Sequence, residues 1–184
     1  EHAQHLRLSE IKQFAVLKII ASMQPYHCAD DGRWCEKRIG PKRAKGTYAF
    51  RSLLDAGATL AFGSDWTVAP IDPILGVDAA VTRRTIDGAN PGGWIPQERI
   101  SLEETLRAYT EGGARSGFME DRVGRIATGM LADLVVLDRD VLRAEAKSLV
   151  DTRVDMTVVE WRIAYERPAG LGGDSGRTIG DRIG

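Results

Sequence analysis

The sequence predicts an α/β fold built around short parallel strands. Two apolar runs, residues 19–24 and 58–62, have the length and the continuous hydrophobic character of strands that are buried on both faces. A helical pattern precedes each of them, at residues 10–17 and 47–56. Helices and strands that alternate in this order are typical of a parallel sheet covered by helices.

The first helix is expected to begin after Ser9, whose side chain can accept a hydrogen bond from the first turn. Residues 28–46 are rich in arginine, lysine, aspartate and glycine, and we predict that they form a polar loop bordering the site. The second helix, residues 47–56, carries its apolar side chains on one face, and Gly57 is placed to end it.

Beyond the second strand, the pattern continues with helices and loops. Residues 74–84 are predicted to be helical, and residues 87–96 to form a loop because they are dense in turn-forming types. Ser101 and Glu104 have the spacing of a capping box, which predicts a helix running to about residue 110.

The chain changes character from Gly124 onwards. A β run at residues 132–137 is followed by a predicted hairpin of residues 154–159 and 163–165. A change from alternating helices and strands to plain β structure indicates a second, smaller unit. Residues 170–184 are rich in glycine and have no periodic apolar pattern, so we expect a disordered tail.

The composition favours a protein that acts on small molecules. The 184 residues carry a net charge of −1, from 25 basic and 26 acidic side chains, so neither nucleic acid nor an anionic membrane surface is expected as a partner. No apolar run approaches the roughly 18 residues that a membrane-spanning helix needs. Cys28 and Cys35 match neither a zinc-ribbon nor a disulfide spacing, and we interpret them as free thiols in a reducing cytoplasm.

Asp65 is the strongest candidate for a functional residue. It follows the apolar run at residues 58–62 after a Gly-Ser break, and the carboxyl ends of buried parallel strands are where barrel enzymes place catalytic and metal-binding groups. His27 follows the other apolar run in the same way, and His2 stands at the start of the chain. Two histidines and an aspartate suit a catalytic divalent metal ion, with Zn²⁺ as the leading candidate.

Each of these three residues also has a simpler explanation. A single histidine is more often a satisfied structural residue than a metal ligand. An aspartate after a strand is commonly a turn or N-cap carboxylate. His5 is expected at the surface or at the entry of the first helix rather than in the ligand set. The metal hypothesis therefore depends on all three residues lying together.

Several motifs, in this order, resemble the amidohydrolase superfamily, specifically the C-terminal half of a metal-dependent hydrolase of the amidohydrolase family 3 branch. Residues 1–4 (EHAQ) are similar to the end of that family's barrel strand 5, residues 21–27 (ASMQPYH) to strand 6, and residues 62–65 (FGSD) to strand 8. Segments between residues 124 and 138 are similar to the return into a small β-sandwich. The resemblance covers residues 1–167.

The resemblance implies the C-terminal half of a (β/α)8 TIM-type barrel in residues 1–123 and the C-terminal strands of a small flanking β-sandwich in residues 124–169. It also implies that His2 and His27 bind one or two metal ions, and that Asp65 binds metal and transfers a proton. A metal-activated water would then hydrolyse the carbon–nitrogen bond of a small, non-peptide amide. The family's remaining ligands, a His-x-His pair and a bridging lysine or glutamate, would lie upstream of this segment.

Two hypotheses about function remain open at this point. In the first, the chain is part of a metal-dependent amidohydrolase that is inactive as a fragment and forms a homo-oligomer when intact. In the second, it is a non-catalytic half-barrel that persists as a structural or interaction module.

Three tryptophans, Trp34, Trp66 and Trp94, fall in predicted loops on the same side as the candidate ligands. Aromatic side chains in such loops can line a substrate pocket, or they can pack the loops against the protein. The sequence predicts both roles equally well.

Overall fold

Two parallel strands lie at the centre of the structure, which is a computed structural model. Strand β1 (Ala21–Met23) pairs with strand β2 (Leu60–Phe62) in a regular register that sets Ser22 opposite Ala61. The chain before β1 lies beside it, because the N–H of Ala3 donates to the carbonyl of Ser22 over 3.0 Å. The α/β class predicted from the sequence is confirmed.

The two faces of this parallel pair differ because side chains alternate along a strand. Met23, Leu60 and Phe62 belong to the main hydrophobic core. There the ring of Phe62 packs edge-to-face on Phe50, with 5.0 Å between ring centroids. The side chain of Ser22 lies on the opposite face, where its hydroxyl is available for a polar contact.

Short helices surround the parallel pair in the described part of the chain. In chain order they are α1 (Ile11–Val16), α2 (Pro25–Asp31), α3 (Cys35–Ala44), α4 (Phe50–Asp55), α5 (Pro73–Thr82), α6 (Leu102–Arg107) and α7 (Gly113–Ser116). Turns of 3₁₀ helix occur at Leu8–Glu10, Pro96–Glu98 and Ala146–Asp151, and a π-helical turn at Ala108–Gly112 joins α6 to α7. The helices that the sequence predicts are present as α1, α4, α5 and α6.

The prediction of a polar loop at residues 28–46 is wrong, because α2 and α3 occupy most of it. Pro25 stands in the first turn of α2, where its fixed φ and missing N–H are compatible with a helix start. Gly40, with φ of 79°, and Pro41 kink α3 and give it a loop-like composition. Ser9 is not the N-cap of α1 either: it lies inside a 3₁₀ turn, and no side chain caps that helix.

The capping box at the start of α6 is confirmed. The hydroxyl of Ser101 accepts from the N–H of Glu104 at 3.1 Å, and the Glu104 carboxylate accepts from the N–H of Ser101 at 2.7 Å. These two bonds satisfy donors that the first helical turn would otherwise leave unpaired.

A close backbone contact joins the following π turn to β2. A Cβ atom added to Gly112 would lie 2.0 Å from the carbonyl oxygen of Leu60. No side chain fits at that distance, so glycine allows this turn to lie directly on the strand.

A second, antiparallel sheet contains β3 (Leu134–Leu137), β4 (Val154–Val159) and β5 (Arg162–Glu166), in the order β3-β4-β5. The turn between β4 and β5 consists of Glu160 and Trp161, with φ of 48° and 66°. Positive φ at both positions is the geometry of a tight type I′ hairpin turn. The predicted hairpin is confirmed, whereas the assignment of this sheet to a flanking β-sandwich and the domain boundary remain predictions.

The structure describes residues 1–168, and the predicted tail at residues 170–184 lies outside this range. Within the described range, one pair of parallel strands is present, so the half-barrel also remains a prediction. No helix among residues 1–168 has both the length and the apolar character needed to cross a membrane.

Candidate metal centre

Two of the three predicted ligands follow the parallel strands at one end of the central pair, and the third, His2, lies close to both of them. Asp65 comes three residues after the end of β2, and His27 lies in the first turn of α2, directly after β1. His2 precedes Ala3, whose N–H bonds to β1. Because neighbouring parallel strands end at the same edge, these segments bring three distant residues to one place.

The side chains of His2, His27 and Asp65 form one cluster. Their potential ligand atoms all lie within 4.8 Å of one another. Nε2 of His2 is 3.4 Å from Oδ2 of Asp65, and Nε2 of His27 is 4.0 Å from the same oxygen. The two imidazole rings are nearly parallel, with centroids 6.0 Å apart and an interplanar angle of 10°. Both nitrogens therefore approach the same carboxylate from one side of the site.

His27 is the most informative member of this cluster. Its Nε2 atom is buried and has no hydrogen-bond partner among the described residues. Burial lowers the pKa of His27 below its usual range, although the Asp65 carboxylate acts in the opposite direction. A neutral imidazole with a free, buried nitrogen is in the state that metal coordination requires.

Two of the three side chains project from an unusual backbone conformation. His2 and Asp65 have φ of 54° and 58°, in the left-handed region that most side chains avoid. Such a conformation costs on the order of 1–3 kcal/mol per residue and is concentrated at functional sites.

The donor set fits a divalent metal ion. Two imidazole nitrogens and a carboxylate oxygen are the ligand types of catalytic zinc sites, which keep a further position open for water or substrate. His5 is not part of the group; its Nδ1 lies 2.9 Å from the hydroxyl of Thr47. Cys28 is a free, buried thiol, and burial raises its pKa to about 11, which disfavours the thiolate that a metal would need.

A hydrogen-bonded unit that the sequence analysis missed lies next to the cluster. Both carboxylate oxygens of Glu1 accept hydrogen bonds, one from the Ser22 hydroxyl at 2.6 Å and one from the Gln24 amide. The bond from Ser22 is the main reason that the pKa of Glu1 is lowered. Gln24 is 4% exposed, and its Oε1 has no partner among the described residues. The polar residues at positions 22 and 24 alternate with apolar ones, and this alternation was the sequence signal that could have predicted a polar face at the end of β1.

A second buried network lies behind His27. The Nε2 atom of Gln4 donates to the hydroxyl of Tyr48 at 2.5 Å, and that hydroxyl donates to Oδ2 of Asp31 at 2.7 Å. Asp31 lies four residues after His27 on α2, so both project from one face of this helix. Burial, followed by the hydrogen bond to Asp31, raises the pKa of Tyr48 far above its usual range, and the phenol stays neutral.

The three tryptophans occupy different environments. Trp66 follows Asp65 directly and is 65% exposed, whereas Trp34 is 38% exposed and has the guanidinium of Arg38 5.1 Å from its ring centroid. Trp94 lies in the hydrophobic core at 4% exposure.

Contacts on several sides hold Trp94 in that core. Its Nε1 donates to Glu36 at 3.0 Å, and its carbonyl accepts from the buried guanidinium of Arg83 at 2.7 Å. The same guanidinium lies 5.6 Å from the indole centroid. The ring therefore packs the protein interior and offers little surface to a substrate.

Comparison with known proteins connects this geometry to a family. A sequence model of family 3 of the amidohydrolases, described as the Amidohydrolase family, matches residues 1–165. The chain is 44% identical over 138 residues to the Arabidopsis thaliana protein LONG AFTER FAR-RED 3, covering 74% of this chain and 23% of that protein. It is 33% identical over 120 residues to N-substituted formamide deformylase from Arthrobacter pascens, covering 65% and 22% respectively.

Solved structures show the same fold. A crystal structure of an uncharacterized metal-dependent hydrolase from Pyrococcus horikoshii OT3 matches with a TM-score of 0.71 and 32% identity. The match covers 79% of this chain and 29% of that one. The chain therefore spans less than a third of the length of each of these three proteins.

Proposed function

Because this chain belongs to the amidohydrolase family, we propose that His2, His27 and Asp65 hold a divalent metal ion, with Zn²⁺ expected, in a hydrolase that acts on carbon–nitrogen bonds of non-peptide amides. The observation that carries the proposal is the cluster itself, in which the buried Nε2 of His27 is free and faces Asp65. The metal-dependent hydrolases among the structural neighbours support a divalent ion.

The chemistry is divided between the ion and Asp65. When bound, a divalent ion in such a site acidifies a water molecule and polarises the substrate carbonyl. Asp65 would accept the proton of the attacking water at its carboxylate and then donate that proton to the leaving amine. Its side chain is 30% exposed, so substrate and water can reach it, whereas His27 at 13% is largely shielded.

We propose that these three residues are part of a larger ligand set. They are the one group of three or more potential ligand residues found together in residues 1–168. Since the chain spans less than a third of the length of the proteins named above, the remaining ligands would come from other parts of a longer protein. The number of ions, one or two, depends on those ligands.

The proposed substrates are small amides, and N-formyl and N-acyl amines are the first class to test. N-substituted formamide deformylase is named for a substrate of this type. The exposed rings of Trp66 and Trp34 would contact the apolar substituent of the substrate. The free thiols of Cys28 and Cys35 support a reducing compartment such as the cytoplasm. We also propose that the intact protein is a homo-oligomer.

The test is a metal analysis of the full-length protein together with a turnover assay. N-formyl and N-acyl amines of increasing substituent size are the substrates, with the corresponding esters as a matched panel. We expect bound zinc, and amide turnover that a chelator removes and added Zn²⁺ restores. Turnover that survives complete metal removal would contradict the proposal.

A further inference from the structure

We propose that Glu1, Ser22 and Gln24 act together as positioning residues that fix the two histidines of the metal centre. The carboxylate of Glu1 lies outside the cluster of potential ligand atoms formed by His2, His27 and Asp65. The inference rests on the proposed metal site, and it assigns a role to polar groups that the proposed reaction does not use.

The carboxylate of Glu1 joins two separate parts of the chain. One of its oxygens accepts from the Ser22 hydroxyl, which projects from β1, and the other accepts from the Gln24 amide just beyond β1. Each of its two oxygens therefore accepts one hydrogen bond. A carboxylate that accepts two hydrogen bonds is held in position as well as in orientation.

Glu1 and Gln24 each lie within three residues of one of the two histidines. His2 is the next residue after Glu1 and has a left-handed backbone, so its direction depends on how Glu1 is held. The N–H of His27 donates to the carbonyl of Gln24 at 3.1 Å, so the turn that presents His27 begins at Gln24. Fixing Glu1 to Gln24 thus fixes the two imidazole rings relative to each other.

The orientation of the Gln24 amide is itself informative. A carboxylate accepts hydrogen bonds and donates none, so the Gln24 nitrogen must face Glu1. Its oxygen is left buried without a partner among the described residues. An unpaired buried acceptor costs free energy, and an apolar side chain would fill the same space without that cost. The presence of glutamine rather than an apolar residue at position 24 is explained if its hydrogen bond to Glu1 positions the histidines of the metal site.

The experiment uses the full-length protein and measures two quantities: Zn²⁺ affinity by competition with a chromogenic chelator, and the thermal midpoint of the metal-free protein. Ser22→Ala removes one contact, and Glu1→Ala removes both. Ser22→Thr retains the hydroxyl, and Glu103→Gln neutralises an exposed carboxylate on α6 that has no part in the cluster. His27→Ala, measured first, establishes whether the metal site is correctly assigned.

We expect Ser22→Ala and Glu1→Ala to weaken Zn²⁺ binding about 10- to 100-fold, the range found when an outer-shell partner of a metal ligand is lost. Ser22→Thr and Glu103→Gln should keep the parental affinity. Parental affinity in both Ser22→Ala and Glu1→Ala overturns the inference. If the thermal midpoint of the metal-free protein falls while the Zn²⁺ affinity stays parental, the role of these residues is purely structural. If His27→Ala itself leaves Zn²⁺ binding unchanged, the proposed metal centre is wrong and the inference falls with it.

Discussion

Nε2 of His27 lies 4.0 Å from Oδ2 of Asp65, and among the described residues this buried nitrogen has no hydrogen-bond partner. The separation is too long for a hydrogen bond. Buried polar atoms are almost always paired, and we propose that metal coordination is what this nitrogen serves. A divalent cation held by both side chains would give this nitrogen a partner, and variants of Asp65 and His27 test that proposal.

Asp65→Asn should abolish turnover in the full-length protein while changing its stability little. The amide keeps the shape of the carboxylate but removes its charge and its ability to carry a proton, so a loss on the order of 10³-fold or more in kcat is expected. Asp121→Asn, in an exposed turn, is the matched control. A variant at position 65 that retained more than a tenth of parental activity would assign Asp65 a structural role.

His27→Ala should lower Zn²⁺ affinity by more than about 100-fold, the upper limit for loss of an outer-shell partner, because it removes a direct ligand. His5→Ala is the control, since His5 bonds to Thr47 and lies outside the cluster. Chelator competition on both variants gives the comparison. Equal losses in the two variants would mean that any histidine substitution perturbs the protein and that the cluster is not a specific site.

Gly112→Ala should destabilise the protein by about 1–3 kcal/mol, because the added methyl group meets the Leu60 carbonyl at 2.0 Å. The next residue provides a control in the same helical segment. A Cβ atom on Gly113 meets nothing within 4 Å, so Gly113→Ala should raise stability by about 0.5–1 kcal/mol through helix propensity. Denaturant unfolding of both variants measures the difference, and equal stabilities would show that the π turn does not contact β2 as closely as described.

Trp94→Phe and Trp66→Ala should affect different quantities. Trp94→Phe removes the part-buried bond to Glu36 and reduces the volume of a core side chain, so it should cost about 1–3 kcal/mol in unfolding free energy with little change in KM. Trp66 is 65% exposed beside Asp65, so Trp66→Ala should raise KM and change stability by less than about 0.5 kcal/mol. Unfolding curves and steady-state kinetics on the two variants measure these effects. A raised KM in Trp94→Phe together with a loss of stability in Trp66→Ala would show that Trp94 contacts the substrate and Trp66 packs the protein.

The sequence by itself determined the local elements and the identity of the candidate ligands. Apolar runs predicted both parallel strands, the Ser101 and Glu104 spacing predicted a capping box, and alternating residues predicted the β4–β5 hairpin. These features depend on hydrogen bonds and side-chain periodicity within a few residues, which a local pattern records. His27 and Asp65 were found because each follows an apolar run, and His2 because its residue type completes a set of metal ligands.

The tertiary structure alone decided which of these residues meet. Contacts between segments distant in the chain brought three ligand atoms within 4.8 Å, joined Glu1 to Ser22 and Gln24, and placed Trp94 in the core. Helices α2 and α3 formed where a composition rich in arginine, lysine, aspartate and glycine predicted a loop. Packing free energy from distant partners can exceed local propensity, and no local pattern records which partners those are.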